Sequence, residues 1–326
     1  MSLDIFAPAR SVVAEGLQGK KILIYGSNNL GKTYQVARFD RPYFICFEKG
    51  LSAVNGIPFA SINKWSDFKK VVRQFEKSPD KAKELYGTIA IDGADIMAKY
   101  CSKFVCDTHG VTRLKEGNNG YGLWSEFETE LWEQLDKLVS LDFTVVFIAH
   151  ETETEEGQKV PKGDKRLMPY IRDYCDFTIY LKSNGLDENG DVIYSTAYLA
   201  ETPEFFARSR FTHVPKIIET FTAENLKDAI VQGIKAQSKE EGFELVTEQE
   251  KKETYKSVEL DFDVLMEEIK TVGNQLVKLN KLDDLTGIAE KYLGVGVKVT
   301  DCKKNQVEVM SVILDEMKDL VKESTE

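Results

Sequence analysis

The chain has 326 residues, with 43 Lys and Arg against 54 Asp and Glu, so its formal charge is −11. That length passes the roughly 250–300 residues at which single cores stop growing, so one large domain and a smaller one are expected. With 42% apolar and 30% charged residues, the composition excludes a disordered or fibrous chain, and the acidic balance excludes a protein that coats nucleic acid by bulk charge, leaving only a local basic groove.

From residue 20 to about 218, short apolar, β-rich runs alternate with helical patterns. Strands are expected at 22–25, 43–47, 88–91, 144–149 and 177–181, and helices at 32–39, 66–76, 95–107 and 123–138. This alternation signals an α/β domain whose mostly parallel sheet is buried on both faces. The turn dipeptides Asn184-Gly185 and Asn189-Gly190 bring 192–199 back antiparallel beside 177–181. Residues 223–256 are rich in Glu, Lys and Gln, and read as a helix followed by a solvated linker. From 260 onward Phe262, Leu265, Met266, Ile269, Val272, Leu276 and Leu279 form one helical stripe, which 285–293 and 306–320 continue. The expected division is therefore 1–222, 223–257 and 258–326, the last a small helical domain with a structural or partner-binding role.

No apolar run approaches the roughly 20 residues a membrane helix requires, and residues 1–10 lack the basic and apolar regions of a secretory signal. A cytoplasmic protein without membrane partners is expected. The five cysteines (46, 101, 106, 175 and 302) are odd in number and scattered, as buried thiols would be. The spacing of Cys101, Cys106 and His109 lacks a fourth ligand at zinc-ribbon distance and reads better as a helix carrying two small thiols.

The strongest signal is Gly26, Ser27, Asn28, Asn29, Leu30, Gly31, Lys32 and Thr33, which fit G-x4-G-K-[ST] between an expected strand and an expected helix. Glycines let the backbone curl so that successive N–H groups face a β-phosphate. Lys32 would reach the β- and γ-phosphates of ATP, and the Thr33 hydroxyl would ligate Mg²⁺. Such a loop requires a second strand ending in an acid that orders the ion, and the run 86–92 supplies Asp92. Hydrolysis also needs a group to orient or deprotonate water. Position 93, beside the magnesium acid, is Gly93. The alternative is Glu48, at the end of the strand after the phosphate-loop helix, because parallel strands open their C-termini onto one edge.

Together these residues resemble the RecA-like P-loop ATPases, and among them the phage-type group that includes Sak-type single-strand annealing and recombination proteins. The resemblance covers about residues 5–220 and rests on Gly26 to Thr33, Glu48, 89–92 and 145–150. It implies an α/β RecA-like fold with a mostly parallel sheet flanked by helices, beside the small C-terminal helical domain, and an ATP- and Mg²⁺-dependent ATPase. It further implies assembly with itself into a ring or filament, and a place in the host cytoplasm if phage-encoded. His150 corresponds to the sensor residue near the γ-phosphate, where recombinases more often carry Gln. Segments 109–120 and 152–170, the latter with Lys159, Lys162, Lys165 and Arg166, correspond to loops that contact single-stranded DNA. Arg208 and Arg210 both match a basic residue that reaches across a subunit boundary to the neighbour's γ-phosphate, with no choice between them. Phe6 and Ala9 have the F-x-x-A form of a protomer-linking motif, although an edge strand packing Ile5 and Phe6 on its own domain is preferred.

The function expected is action on single-stranded DNA in phage recombination or replication, with a single-strand-binding protein as a further partner. The alternative is a nucleotide-dependent assembly module that recruits a protein through the helical tail, with turnover indifferent to DNA. A small-molecule kinase would need a lid of clustered arginines after the third strand, where Arg113 stands alone.

Overall fold

Every residue of Thr88–Asp92 and of Thr144–Ala149 is buried, which only strands covered on both faces achieve. A computed structural model of the chain describes residue 6, residues 8–255 and residues 260–325. In chain order its strands are β1 (Lys21–Tyr25), β2 (Pro42–Cys46), β3 (Phe59–Ser61), β4 (Thr88–Asp92), β5 (Thr144–Ala149), β6 (Glu151–Glu153), β7 (Lys159–Pro161), β8 (Phe177–Lys182), β9 (Thr196–Tyr198), β10 (Arg208–Ser209) and β11 (Ile217–Ile218). The helices are α1 (Lys32–Val36), α2 (Trp65–Lys77), α3 (Pro79–Leu85), α4 (Met97–Thr108), α5 (Trp124–Val139), α6 (Leu167–Tyr174), α7 (Ala223–Glu241), α8 (Glu248–Tyr255), α9 (Phe262–Lys278), α10 (Leu282–Leu293) and α11 (Val307–Thr325).

A nine-stranded sheet runs in the order β11-β9-β8-β1-β5-β4-β2-β3, with β10 also on β8. From β8 to β3 the strands are parallel, and β9, β10 and β11 add antiparallel pairings at one side. The hairpin expected from Asn184-Gly185 is present: Tyr180 to Lys182 pair with Thr196 to Tyr198. Strand β5 lies between β1 and β4, so its C-terminal end emerges between theirs. Tyr25 is level with Ala149, and Ile148 is level with Asp92, which is level with Cys46. The residues that follow these four ends therefore share one rim.

Alternate residues of each strand enter two cores. Leu23, Ile45, Ile91 and Phe147 pack with Trp65 and Phe68 of α2 and with Phe127 and Leu131 of α5. On the other face Ile22, Ile24, Phe44 and Ile148 pack with Val36 of α1 and with Leu226, Ile230 and Ile234 of α7. Helix α7 sits so close that a Cβ on Gly233 would lie 2.6 Å from Cα of Val214. The contacts divide the chain into two compact units, one of them Ala9–Thr254, so the unit that holds the sheet runs past residue 222 and includes α7. The C-terminal helices have a core of their own, formed by Leu265, Ile269, Leu276, Met310, Ile313 and Met317.

Phe6 is exposed, while Ile5, its partner in the edge-strand expectation, lies outside the described residues. All five cysteines are buried and unbridged. Among the described residues no helix is long and apolar enough to cross a membrane.

Candidate nucleotide site

The loop that leaves β1 turns on three residues with positive φ, Gly26 (φ +153°), Asn29 (φ +61°) and Gly31 (φ +77°). At Gly26 the space is also closed: a Cβ would lie 2.7 Å from the Leu181 carbonyl oxygen. Leu30 is buried and anchors the loop in the core, while Ser27, Asn28 and Asn29 are exposed on its outer turn. The Lys32 ammonium folds back on the loop, donating to the carbonyl oxygens of Gly26 (2.9 Å) and Ser27. Its burial lowers the Lys32 pKa, against the opposing charge of Asp92.

Thr33 Oγ1 donates to the Asp92 carboxylate at 3.3 and 3.4 Å, so the two residues expected to hold Mg²⁺ lie side by side. Asp92 is almost fully buried, and this burial, reinforced by the charge of Glu48, pushes its pKa up to about 6. Among the described residues neither salt bridge nor backbone amide neutralises this carboxylate, which suits a site built to receive a cation. A Cβ on Gly50 would fall 2.1 Å from Asp92 Oδ2, so any side chain at position 50 would displace this carboxylate. The donor set of a hydroxyl and a carboxylate at a phosphate loop fits Mg²⁺, a hard, oxygen-seeking ion.

Glu48 follows the end of β2, where the Phe47 amide donates to the Asp92 carbonyl at 2.9 Å. His150, next after β5, places Nδ1 3.7 Å from Glu48 Oε1 and 3.2 Å from Asp95 Oδ2. Lys32, Thr33, Glu48, Asp92 and His150 thus gather on one rim. Asp95 joins them unforeseen. It read as the first residue of a helix, yet its side chain is 1% exposed and Oδ1 has no hydrogen-bond partner among the described residues. A signal was present in the acid placed one helical turn beyond Asp92, where β4 gives way to α4. Glu151 is a second unforeseen neighbour, accepting from Ser27 Oγ at 2.9 Å and from Lys159 Nζ at 3.1 Å.

Arg208 and Arg210 do not join this group. Arg208 is level with Thr178, which is level with Leu23. At about 3.3 Å per residue, that places it roughly 10 Å along the strand direction from Gly26, toward the opposite rim. Both guanidiniums donate to the Asp173 carbonyl, at 3.1 and 2.8 Å.

The segment 152–170, expected as a glycine-rich loop, is instead the β6–β7 hairpin followed by α6. Lys159 pairs with Glu151 and Glu153, and Arg166 pairs with Glu128 while lying over Trp124. Segment 109–120 forms two short 3-10 turns. The two segments line a cleft of about 620 Å³ that carries Lys99, Arg113, Lys115, Lys162 and Trp124 together with Asp95 and Asp164.

A family model described as an AAA domain matches residues 18–211, more than half of the chain. The chain belongs to this AAA domain family. The match begins just before β1 and ends just after β10, so the AAA domain contains every residue of the rim, and its α/β fold is that of a P-loop NTPase. A curated relative, the "SPbeta prophage-derived uncharacterized protein YorG" of Bacillus subtilis (strain 168), is 51% identical over 323 residues, covering 99% of this chain and 100% of its own length. The likeness to YorG therefore extends through the helical unit, beyond the AAA domain.

Proposed function

We propose that the protein is a Mg²⁺-dependent, RecA-like ATPase that acts on single-stranded DNA in phage recombination or replication. The carrying observation is the convergence of Lys32, Thr33, Asp92, Glu48 and His150 on one rim. The prophage origin given for YorG supports the phage setting, and with it the host cytoplasm.

In this reading the loop amides cradle the phosphates, and Lys32 exchanges the carbonyls of Gly26 and Ser27 for phosphate oxygens. Thr33 and Asp92 hold Mg²⁺, which when bound supplies a Lewis acid for the charge on the phosphates. Glu48 orients the attacking water and accepts its proton, and His150 beside it reports the γ-phosphate. Arg208 or Arg210 serves the site of a neighbouring protomer in a ring or filament. The DNA half is supported by the excess of basic over acidic side chains in the 620 Å³ cleft, four against two, with the Trp124 face not covered by Arg166 as a stacking surface. Its reach is local, since Lys159 and Arg166 already face carboxylates.

The test is ATP turnover with and without single-stranded DNA at low salt, beside Lys32→Ala and Glu48→Gln. DNA should bind and raise turnover in the parent protein. If it neither binds nor changes turnover, the DNA half fails. Normal hydrolysis by Glu48→Gln removes the base assignment.

A second reading is favoured by the separate core of the C-terminal helices, which leave Val264, Val277, Leu282 and Val312 exposed. In it, nucleotide sets the assembly state and this unit recruits a protein, such as a single-strand-binding protein. Turnover indifferent to DNA, with a partner that needs residues 260–325, would select it.

A further inference from the structure

We infer that Glu48, Asp95 and His150 form a site for a borderline divalent transition metal of the Zn²⁺ class, separate from the Thr33–Asp92 pair. The potential ligand atoms of the three side chains all lie within 4.8 Å of one another. His150 Nδ1 stands 3.2 Å from Asp95 Oδ2 and 3.7 Å from Glu48 Oε1. Bonds of about 2.0–2.2 Å in a tetrahedral set put neighbouring ligand atoms roughly 3.3–3.6 Å apart. The two separations from His150 straddle that range, and the Glu48–Asp95 separation, at most 4.8 Å, is brought into it by rotation of the partly exposed Glu48 side chain.

An independent observation points the same way. Asp95 is 94% buried by its 6% residual exposure, and its Oδ1 has no hydrogen-bond partner among the described residues. A carboxylate oxygen withdrawn from water and left unpaired is costly unless a cation meets it. The imidazole selects the metal: nitrogen with two carboxylates suits Zn²⁺ or Co²⁺, whereas Mg²⁺ prefers an octahedron of oxygens. The side chains of Glu48 and His150 are 31% and 30% exposed, so a fourth position stays reachable by water.

A metal held here engages the carboxylate assigned to the attacking water, so it would arrest ATP turnover. That consequence rests on the proposed reading of Glu48; the binding does not.

The experiment uses the full chain, freed of metal with a chelator and without nucleotide. Co²⁺ is titrated by visible absorption, and Zn²⁺ by competition with a chromogenic chelator. One equivalent should bind, with the intense visible bands of tetrahedral Co²⁺ and no thiolate charge-transfer band. His150→Ala, Asp95→Asn and Glu48→Gln should each weaken Zn²⁺ by about tenfold or more, while Cys46→Ala, His213→Ala and Asp92→Asn bind as the parent does. Asp95→Asn is nearly isosteric and Glu48 is partly exposed, so these two keep the test valid if His150→Ala misfolds. Parent affinity no higher than that of the three ligand variants, or binding lost in Cys46→Ala or His213→Ala, overturns the site. Zn²⁺ binding with the stated pattern in a protein without ATP turnover upholds the site and fails the ATPase reading. Turnover without Zn²⁺ binding does the reverse.

Discussion

A Cβ added to Gly93 would lie 2.6 Å from Cγ of Glu48. The position after Asp92 and the carboxylate carried from β2 therefore exclude one another, and φ of +83° at Gly93 reinforces the choice of glycine. Gly93→Ala should destabilise the protein by about 1–3 kcal/mol, through backbone strain and the displaced glutamate. Urea unfolding measures that loss. Because Glu48 must move, the variant's turnover should fall further than its nucleotide affinity.

Glu48→Gln keeps size and hydrogen bonding but removes the base. We predict a fall in kcat of about 10²–10⁴, the usual contribution of a general base, with nucleotide affinity nearly unchanged. Lys32→Ala should show the other pattern, losing nucleotide binding itself. Fluorescent-nucleotide titration alongside single-turnover hydrolysis separates the two, and equal effects on binding and chemistry in Glu48→Gln would refute its role.

Asp92 makes the metal-free protein sensitive to pH. Its pKa is raised from 3.8 to about 6, first by burial and then by Glu48. Between those values the folded state holds the proton more tightly than the unfolded chain. Stability therefore declines as pH rises from about 4 to about 6, and the deficit persists at neutral pH, at most roughly 3 kcal/mol. In EDTA at pH 7.5, Asp92→Asn should be more stable than the parent, with an advantage that shrinks toward pH 4. Mg²⁺ should stabilise the parent and not the variant. Denaturant melts at both pH values, with and without the ion, check each statement.

Arg208 and Arg210 share the Asp173 carbonyl at the end of α6. Replacing both with Ala should cost about 1–3 kcal/mol in lost charge-assisted bonds and leave nucleotide affinity within about twofold. If either acts on a neighbour, mixing the double variant with Lys32→Ala protein should restore turnover that neither has alone. A mixture as inactive as its components removes the trans role.

Much of this was readable from residue patterns. Uniformly apolar runs marked β1, β2, β4, β5 and β8, because burial on both faces erases alternation. The phosphate loop followed from its glycine motif, Glu48 and Asp92 from positions at strand ends, since register in a parallel sheet converts sequence place into a shared rim, and His150 from the resemblance to RecA-like ATPases. Asp95 and Glu151 escaped because their importance lies in what they face across the chain, and no periodicity encodes that. The hairpin of β6 and β7 was hidden by its charge: Glu151, Glu153 and Lys159 resemble a solvated loop until their pairing is seen. The crowding of Gly50 by Asp92 and of Gly93 by Glu48 escaped for the same reason, since it lies in contacts across the chain.

The seating of α7 on the sheet sets where this polypeptide tolerates being cut. A chain stopped after Phe221 would uncover Ile22, Ile24 and Val214, and forfeit the burial of Leu226, Ile230 and Ile234, each worth about 1.5–3 kcal/mol. Such a fragment should aggregate on expression, whereas one ending at Thr254 should remain soluble and melt cooperatively. The candidate nucleotide rim, though its residues are all in place by residue 150, depends on a helix that begins more than seventy residues later.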